Sequence, residues 1–388
     1  MAQQGYLVIS ELLLPTKGGT AVWFSEVYGR LGGKETHIVT ADVPNALEHD
    51  QKHSNTIHRL NLRRYAWLKP ESLLAYARMV SRCLWLTWRY RFQAVHAGRV
   101  LPEGLVGLIV ARLARLPLVV YAHGEEITGC RNARKMRVMA YIYRHAQRVI
   151  VNSDFTRDVL LGLGVQTERI ALIAPGVAIE RYHPGLAVDD LRRQLGMAPQ
   201  QKLVLSVGRL QRRKGFDQVI RALPTLLSTG IDAHYAIIGI GVDDDYLRSI
   251  AQETEMQQRV HMLGHVPADD LPRWYNTASV FAMPNRDVNG DTEGFGMVYI
   301  EAAACGIPAV AGMAGGTGGA VLDGVTGLRV DGESMDSIAQ ALVRILGDTE
   351  FAQRLGAQGL RRVLDEFSWD SVANKTQDLS KQLLLEKQ

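Results

Sequence analysis

The chain has 388 residues, which is more than one ordinary hydrophobic core holds and suits two domains of similar size. Its composition, 47% hydrophobic and 22% charged residues, is that of a folded globular protein and excludes an intrinsically disordered chain. The three cysteines stand far apart without metal-ligand spacing, which argues against a disulfide framework and favours a reducing compartment.

The net charge of +4 conceals two halves of opposite sign. Residues 1–177 carry 23 Lys plus Arg against 13 Asp plus Glu, whereas the remaining residues carry 21 against 27. This asymmetry indicates different partners for the two halves, and the acidic second half argues against a nucleic-acid binder. No uncharged span reaches the roughly 18 residues of a membrane-crossing helix, and the N-terminus lacks the basic start of a signal peptide. We therefore expect a cytoplasmic protein.

Short apolar, β-branched runs alternate with amphipathic stretches along the chain, which predicts βα units and parallel sheets covered on both faces. Strands are expected in the first half at 6–14, 36–40, 94–97, 118–122 and 148–152. They are expected in the second half at 203–207, 234–238, 260–263, 280–283, 309–311 and 328–330. Turn residues between Pro175 and Pro184 separate the two series, and an amphipathic stretch at 369–385 is expected to cross back to the first domain.

Two loops of the first half follow predicted strands, where open α/β sheets bind ligands. Gly18-Gly19 precedes a helix, so its amides could approach an anion, but a tight turn without a ligand is the simpler explanation of the pair alone. The turn does not match G-x-G-x-x-G, which disfavours a nicotinamide dinucleotide. His123 follows the strand 118–122, although a lone histidine there is more often structural than functional.

The loop after strand 203–207 is strongly basic. Arg209 and Lys214 could both neutralise a diphosphate, the arginine through its planar fork and the lysine as a point charge. We expect the neighbouring Arg212 and Arg213 to be solvated.

A second polar loop follows strand 280–283 and leads into a helix. Its Gly-Phe-Gly segment, residues 294–296, opens the helix, so the helix amides and dipole favour a phosphate or a polar sugar edge. Glu293 precedes this turn and Glu301 lies about one helical turn inside, so the two carboxylates should address different parts of one ligand. Helix capping and surface charge are the alternative explanation of either glutamate alone.

The acidic run at 243–245 superficially matches a D-x-D metal site. It follows a Gly-x-Gly turn and opens a helix near Tyr246, where acidic residues complement the helix dipole. We therefore predict no metal site and no cofactor.

Taken together, GRLQRRKG, EGFGMVYIE with its E-x7-E spacing, the N-terminal Gly-Gly and the His-Gly after a strand resemble the retaining glycosyltransferases of family 4. The resemblance covers nearly the whole chain, and the RDVNGDTEGFG run is similar to that of bacterial mannosyltransferases that act on phosphatidylinositol mannosides. It implies an α/β GT-B fold with two Rossmann-like domains facing across a cleft. The expected domains are 1–177 with a crossing helix 369–388 on the acceptor side, and 178–368 on the nucleotide-sugar side.

The resemblance also implies which residues hold the donor diphosphate. Arg209 and Lys214 would bind it and stabilise its charge as it leaves. Gly18 and Gly19 would bring the amides of the first domain to it.

The donor sugar has its own implied contacts. Glu293, with the amides of Phe295, Gly296 and Met297, would hold the sugar hydroxyls. His123 would contact the sugar near the reacting carbon.

The nucleoside is the third part of the implied donor site. Glu301 would bind the ribose hydroxyls, and the backbone around Val266 would meet the base. Which sugar, which nucleotide and which acceptor remain open at this point.

The stretch 59–91 has eight basic residues and one acidic residue, interleaved with Tyr65, Trp67, Trp85, Trp88 and Tyr90. This pattern is typical of a surface that rests on anionic lipid at the inner face of the membrane, with a lipid-linked acceptor as the corollary. The alternative is an ordinary helix whose aromatic side chains pack into the first domain.

The expected function is metal-independent transfer of a hexosyl unit from a GDP- or UDP-sugar to a glycan or lipid-linked acceptor. Two other functions stay open: a GT-B enzyme with a soluble sugar-phosphate acceptor, and a non-catalytic nucleotide-binding module.

Overall fold

The computed structural model describes residues 5–16, 18–63 and 71–386. Contacts within the chain divide it into two units: Met1–Pro175 with Trp369–Gln388, and Gly176–Ser368. The sequence places the boundary after Val177, whereas the contacts divide the chain after Pro175.

The first unit is built on a parallel sheet of seven strands, in the order β3-β2-β1-β4-β5-β6-β7. The strands are β1 Gly5–Ile9, β2 His37–Ala41, β3 Thr56–Leu60, β4 Phe92–Ala97, β5 Leu118–Ala122, β6 Arg148–Val151 and β7 Ile170–Leu172. The first seven helices lie between them: α1 Gly19–Gly29, α2 Ala46–Lys52, α3 Leu73–Arg89, α4 Leu105–Ala114, α5 Glu125–Thr128, α6 Ala133–His145 and α7 Asp154–Gly162.

The second unit repeats this architecture with six parallel strands, in the order β10-β9-β8-β11-β12-β13. The strands are β8 Lys202–Val207, β9 Ala233–Ile238, β10 Val260–Gly264, β11 Val280–Met283, β12 Ala309–Gly312 and β13 Gly327–Val330. Its helices are α8 Asp189–Gln194, α9 Phe216–Ser228, α10 Asp244–Glu253, α11 Leu271–Thr277, α12 Met297–Ala304, α13 Met335–Gly347 and α14 Thr349–Glu366.

The last helix, α15 Trp369–Leu385, belongs to the first unit, where it packs against α1. Its residues Thr376 and Ser380 are buried there. At its end Glu386 forms an ion pair with Arg148, the first residue of β6.

Both sheets have their first strand in the interior, which creates a switch point in the strand order. In the first sheet, β2 pairs with one side of β1 and β4 pairs with its other side. In the second sheet, β8 lies in the same way between β9 and β11. The loops that follow the two strands at a switch point diverge to opposite faces, and the crevice between them is where open α/β sheets bind ligands. The fold therefore gives each unit one such crevice.

The central strands are buried on both faces, as parallel sheets between helix layers require. Every residue of β1, β5, β9 and β11 is buried. In the part of the chain that the structure describes, no helix has the length and apolarity to cross a bilayer.

Candidate functional site

The crevice of the second unit lies between the loops that follow β8 and β11, and backbone packing holds these loops together. Gly215, with φ of 73°, ends the β8 loop and begins α9. A Cβ atom at this position would lie 2.2 Å from the carbonyl oxygen of Pro284, which follows β11. Only glycine fits both the backbone conformation and this close approach.

Four charged side chains from the two loops form one cluster in this crevice. Lys214 Nζ donates a hydrogen bond to Glu293 Oε2, and Arg213 Nη1 donates to the same oxygen at 3.1 Å. Arg213 also pairs with Asp291, at 3.2 Å from Nε to Oδ1. Burial alone would raise the pKa of Glu293, but the two cations outweigh it and hold that pKa below its ordinary value. The cluster thus keeps a sheltered carboxylate charged.

The expectation that Arg213 is solvated was wrong. Its side chain is only 10% exposed, and its carbonyl oxygen accepts a hydrogen bond from the backbone N–H of Arg286. In the tight turn Arg212–Lys214, the side chains of Arg213 and Lys214 are buried and both face the β11 loop, where they bind Glu293. Arg212 is the exposed one: it pairs with Asp243 and lies over the ring of Tyr246.

Asp291 is not among the residues predicted from the sequence, although a signal for it is present. Asn289 and Gly290 both have positive φ, and Val288 bridges Asp291 in an antiparallel pair, so these residues form a tight hairpin. Asn-Gly is the strongest sequence signal of such a turn. The hairpin returns the chain toward the β8 loop, which places Asp291 beside Arg213.

The other predicted cation, Arg209, is exposed and forms no hydrogen bond or ion pair with any described residue. It directly follows Gly208 at the end of β8. The structure therefore does not join Arg209 to the Lys214 cluster, although both belong to the same loop. Its guanidinium is available for a ligand.

Glu301 lies inside α12, apart from the cluster around Glu293. Its Oε2 accepts a hydrogen bond from the hydroxyl of the buried Tyr275 at 2.6 Å. Burial raises its pKa above the ordinary value. Glu293 and Glu301 thus have pKa values displaced in opposite directions by their surroundings.

The start of α12 follows the predicted glycine turn. Gly296 has φ of 88° and precedes Met297, the first helical residue. A Cβ atom at Gly296 would lie 2.5 Å from the ring of Tyr299. The ring of Phe295 is buried and packs against Phe367, so only its backbone can meet a ligand.

The remaining predicted positions of this unit also lie at the carboxyl edge of the sheet. Val266 follows β10 and is partly buried. The acidic run opens α10, where Asp244 pairs with Arg248 and Asp243 with Arg212. Within the described ranges, no group of three or more His, Cys, Asp or Glu side chains is arranged to hold a metal ion.

In the first unit His123 is 9% exposed and held in one orientation. Its Nε2 lies 2.9 Å from the carbonyl oxygen of Gly98, which can only accept, so Nε2 carries a hydrogen, and in the neutral imidazole Nδ1 is then the acceptor. Its backbone N–H donates to Glu126 Oε1 at 2.9 Å, and its carbonyl accepts from Asn152. Gly18 and Gly19 lie at the start of α1, with φ of 136° at Gly18.

The exposed face of α3 carries large apolar side chains. Trp88 is 81% exposed, Trp85 45% and Leu73 49%, whereas Met79 and Cys83 on the opposite face are buried. The alternative that the aromatic side chains of this helix pack into the core therefore does not hold for the two tryptophans. Tyr65 and Trp67 lie outside the described residues.

A cavity of about 460 Å³ lies at the opposite edge of the first sheet. Its lining includes Arg112 and Leu116, before β5, and Leu118, the first residue of that strand. His123 follows the other end of the same strand. The predicted site residues do not line this cavity, so it is separate from the candidate site.

Both halves of the chain match known families. Residues 17–181 match Glycosyltransferase Family 4, and residues 187–362 match Glycosyl transferases group 1. A protein of Mycolicibacterium smegmatis named GDP-mannose-dependent alpha-(1-6)-phosphatidylinositol monomannoside mannosyltransferase is 31% identical over 369 residues, which are 94% of each chain. A D-inositol 3-phosphate glycosyltransferase of Corynebacterium glutamicum is 30% identical over 71% of this chain and 69% of that protein.

Solved structures share the fold over nearly the whole chain. The crystal structure of Anabaena HepE in complex with UDP and glucose superposes with a TM-score of 0.82 at 20% identity, covering 98% of this chain and 100% of that one. A sucrose-phosphate synthase from Thermosynechococcus elongatus gives 0.82 at 25% identity, covering 99% and 100%. The predicted two-domain α/β GT-B fold is confirmed.

Proposed function

Because the chain belongs to glycosyltransferase family 4, we propose that it moves mannose from GDP-mannose to an inositol-containing phospholipid, retaining the anomeric configuration and using no metal ion. GDP-mannose and this acceptor class are chosen because the Mycolicibacterium smegmatis relative is named for them. Transfer to a soluble inositol phosphate is the alternative, favoured by the name of the Corynebacterium relative.

The observation that carries the proposal is the Lys214–Glu293–Arg213 cluster in the β8–β11 crevice. A nucleotide-sugar donor has a diphosphate that attracts cations and sugar hydroxyls that donate to carboxylates. The crevice offers both partners side by side, with Lys214 9% exposed and the Glu293 side chain 14% exposed. Low exposure strengthens each of these interactions relative to water.

We infer that Lys214 exchanges partners when the donor binds. In the structure one oxygen of Glu293 serves two cations. A lysine ammonium on a flexible stem can turn to the diphosphate, while Arg213 stays on Glu293 and keeps this carboxylate paired. Glu293 would then offer its second oxygen to a hydroxyl of the sugar.

The reaction breaks the bond between the sugar C1 and the diphosphate oxygen and joins C1 to the hydroxyl oxygen of the acceptor. The acceptor proton passes to the leaving phosphate oxygen. Negative charge grows on the diphosphate as the bond breaks, so Lys214, Arg209 and the amides at the start of α12 stabilise the transition state more than the ground state. In the first unit, Nδ1 of His123 is left free to accept a hydrogen bond from a sugar hydroxyl.

A phospholipid acceptor requires contact with a membrane, and α3 supports this. Its exposed residues Leu73, Trp85 and Trp88 recur at helical spacing, while Arg78 and Arg89 flank them. Exposed aromatic side chains beside arginines are typical of helices that lie in the membrane interface. We propose that this face of α3 rests on anionic lipid.

The proposal is tested by a panel of GDP- and UDP-hexoses, each with a phosphatidylinositol monomannoside in EDTA or in Mg²⁺. We expect transfer from GDP-mannose at similar rates in both solutions, and NMR of the product should show the α-anomer of the donor. Product from UDP-sugars alone would overturn the donor assignment. Loss of transfer in EDTA, restored by Mg²⁺, would overturn the metal-free part.

A further inference from the structure

The crevice of the first unit has its own cation. Arg99 directly follows Gly98, after β4, and therefore stands at the switch point between β1 and β4. Across the crevice, Thr20 lies in the first turn of α1, the helix that follows β1. Arg99 is not among the residues predicted from the sequence, because no glycine-rich turn marks the loop after β4.

The guanidinium of Arg99 has few partners among the residues that the structure describes. It forms no ion pair with the residues that the structure describes, and its one side-chain hydrogen bond to them, from Nη2 to Thr20 Oγ1, is long at 3.5 Å. Arg99 interacts electrostatically with Glu103, whose buried carboxyl accepts a hydrogen bond from the N–H of Glu11. Burial raises the pKa of Glu103 to about 7, and the attraction to Arg99 is the smallest of the effects on this pKa.

The backbone beside Arg99 is held in place. A Cβ atom at Gly98 would lie 2.9 Å from Ser10 Oγ, so this loop packs closely on the end of β1. The carbonyl of Gly98 is also the partner of His123 Nε2. Arg99 is thereby fixed one residue from the contact that orients His123.

Several polar atoms around this edge lack partners within the described ranges. Thr16 Oγ1, Trp23 Nε1 and Glu126 Oε2 are buried without a hydrogen bond. Trp23 also lies edge-on to His123, with ring centroids 5.6 Å apart. Unsatisfied buried groups are rare in native proteins and concentrate where a ligand or water completes the site.

We propose that Arg99, with the hydroxyl of Thr20, binds a phosphate group of the acceptor, either a phosphomonoester or a phosphodiester on a polyol ring. The planar guanidinium donates two parallel hydrogen bonds to phosphate, which fixes orientation as well as position. The donor diphosphate is the less fitting ligand, because the second unit already supplies Lys214 and Arg209 for it. This assignment rests on the proposed glycosyltransferase function.

The test compares the wild-type protein with Arg99→Gln on three acceptors: a phosphatidylinositol monomannoside, a soluble inositol phosphate and the neutral methyl α-mannoside. We expect Arg99→Gln to raise the KM for the phosphorylated acceptors about ten- to hundredfold, the size of a charge-assisted hydrogen bond. The KM for the donor, donor hydrolysis and transfer to the neutral acceptor should change little. Arg99→Lys should recover part of the loss, and Arg134→Gln, on the exposed start of α6, is the matched control.

Calorimetric binding of inositol phosphate without any donor separates this inference from the proposed function. Weaker binding by Arg99→Gln supports the phosphate site even if no nucleotide sugar is turned over. Equal binding by both proteins would overturn it. A rise in the KM for the donor, or an equal loss on the neutral and phosphorylated acceptors, would also overturn it.

Discussion

Arg213 shows how one arginine can tune the site without being the group that meets the diphosphate. It shares Glu293 Oε2 with Lys214 and is itself balanced by Asp291. If Lys214 turns from Glu293 to the diphosphate, Arg213 is the cation that still pairs with Glu293 and keeps this carboxylate charged. Arg213 is therefore a positioning residue in the proposed mechanism.

We expect Arg213→Ala to move the acid limb of the pH–rate profile to higher pH. Glu293 has a lowered pKa and works as a carboxylate, so activity falls as the pH drops through that pKa. Removing a cation raises the pKa, and the loss therefore begins at a higher pH. Arg213→Lys should restore most of the original profile, and Arg212→Ala should leave it unchanged. An unshifted acid limb in Arg213→Ala would show that Arg213 only supports the fold.

At this scale the sequence selects Lys214 and Glu293 by their positions after strand ends, but it cannot separate Arg212 from Arg213. Both are arginines in one short turn, and which of them is buried depends on the β11 loop packed against that turn. The hairpin that contains Asp291 lies beside Arg213 and so determines which of the two arginines is buried. Adjacent residues of like charge thus receive different roles from tertiary contacts alone.

The close approach of the β8 and β11 loops depends on Gly215. We expect Gly215→Ala to destabilise the protein more than Gly230→Ala and to raise the KM for the donor. Both glycines have positive φ, for which alanine costs about 1–2 kcal/mol, but only Gly215 faces a backbone oxygen. Gly230, with φ of 84° and no neighbouring atom within 4 Å, is the matched control.

Urea unfolding and donor kinetics on the two glycine variants check this prediction. Equal losses of stability with an unchanged KM would contradict the view that this contact builds the crevice.

At the scale of elements, the buried central strands could be predicted from sequence, whereas the two edge strands of the first sheet could not. The strands 118–122 and 280–283 are observed with the predicted bounds, because they are continuous apolar runs between polar turns. The edge strands β3 and β7 of the first sheet were not predicted, since β3 contains the polar His58 and Arg59 and β7 has only three residues, whereas the edge strands β10 and β13 of the second sheet were predicted. The first strand ends at Ile9, not at residue 14, because the chain leaves the sheet directly after it, where the hydroxyl of Ser10 donates to the carbonyl of Leu12.

At the scale of the whole molecule, the exposed face of α3 predicts binding to vesicles that contain anionic phospholipid. Binding should weaken with salt, because the Debye length falls to roughly 8 Å at physiological ionic strength. Trp88→Ala should lower the affinity about tenfold, since burying a large apolar side chain is worth about 1.5–3 kcal/mol.

Vesicle sedimentation measures this binding, and Leu364→Ala, an exposed apolar position of the second unit, is the control. Equal affinity for neutral vesicles, or no effect of Trp88→Ala, would remove α3 as the docking surface.

The central claim is that the loops after β8 and β11 stabilise a leaving diphosphate, and Lys214→Ala tests it most directly. Turnover at saturating donor, with folding checked by thermal melting, is to be compared for the wild-type protein, Lys214→Ala and Arg212→Ala. We expect Lys214→Ala to lose roughly 10²- to 10³-fold in turnover, as removal of one preorganised electrostatic partner typically does. Arg212→Ala, with its exposed side chain, should change little. Near-normal turnover of Lys214→Ala, or an equal loss in Arg212→Ala, would contradict the assignment of the site.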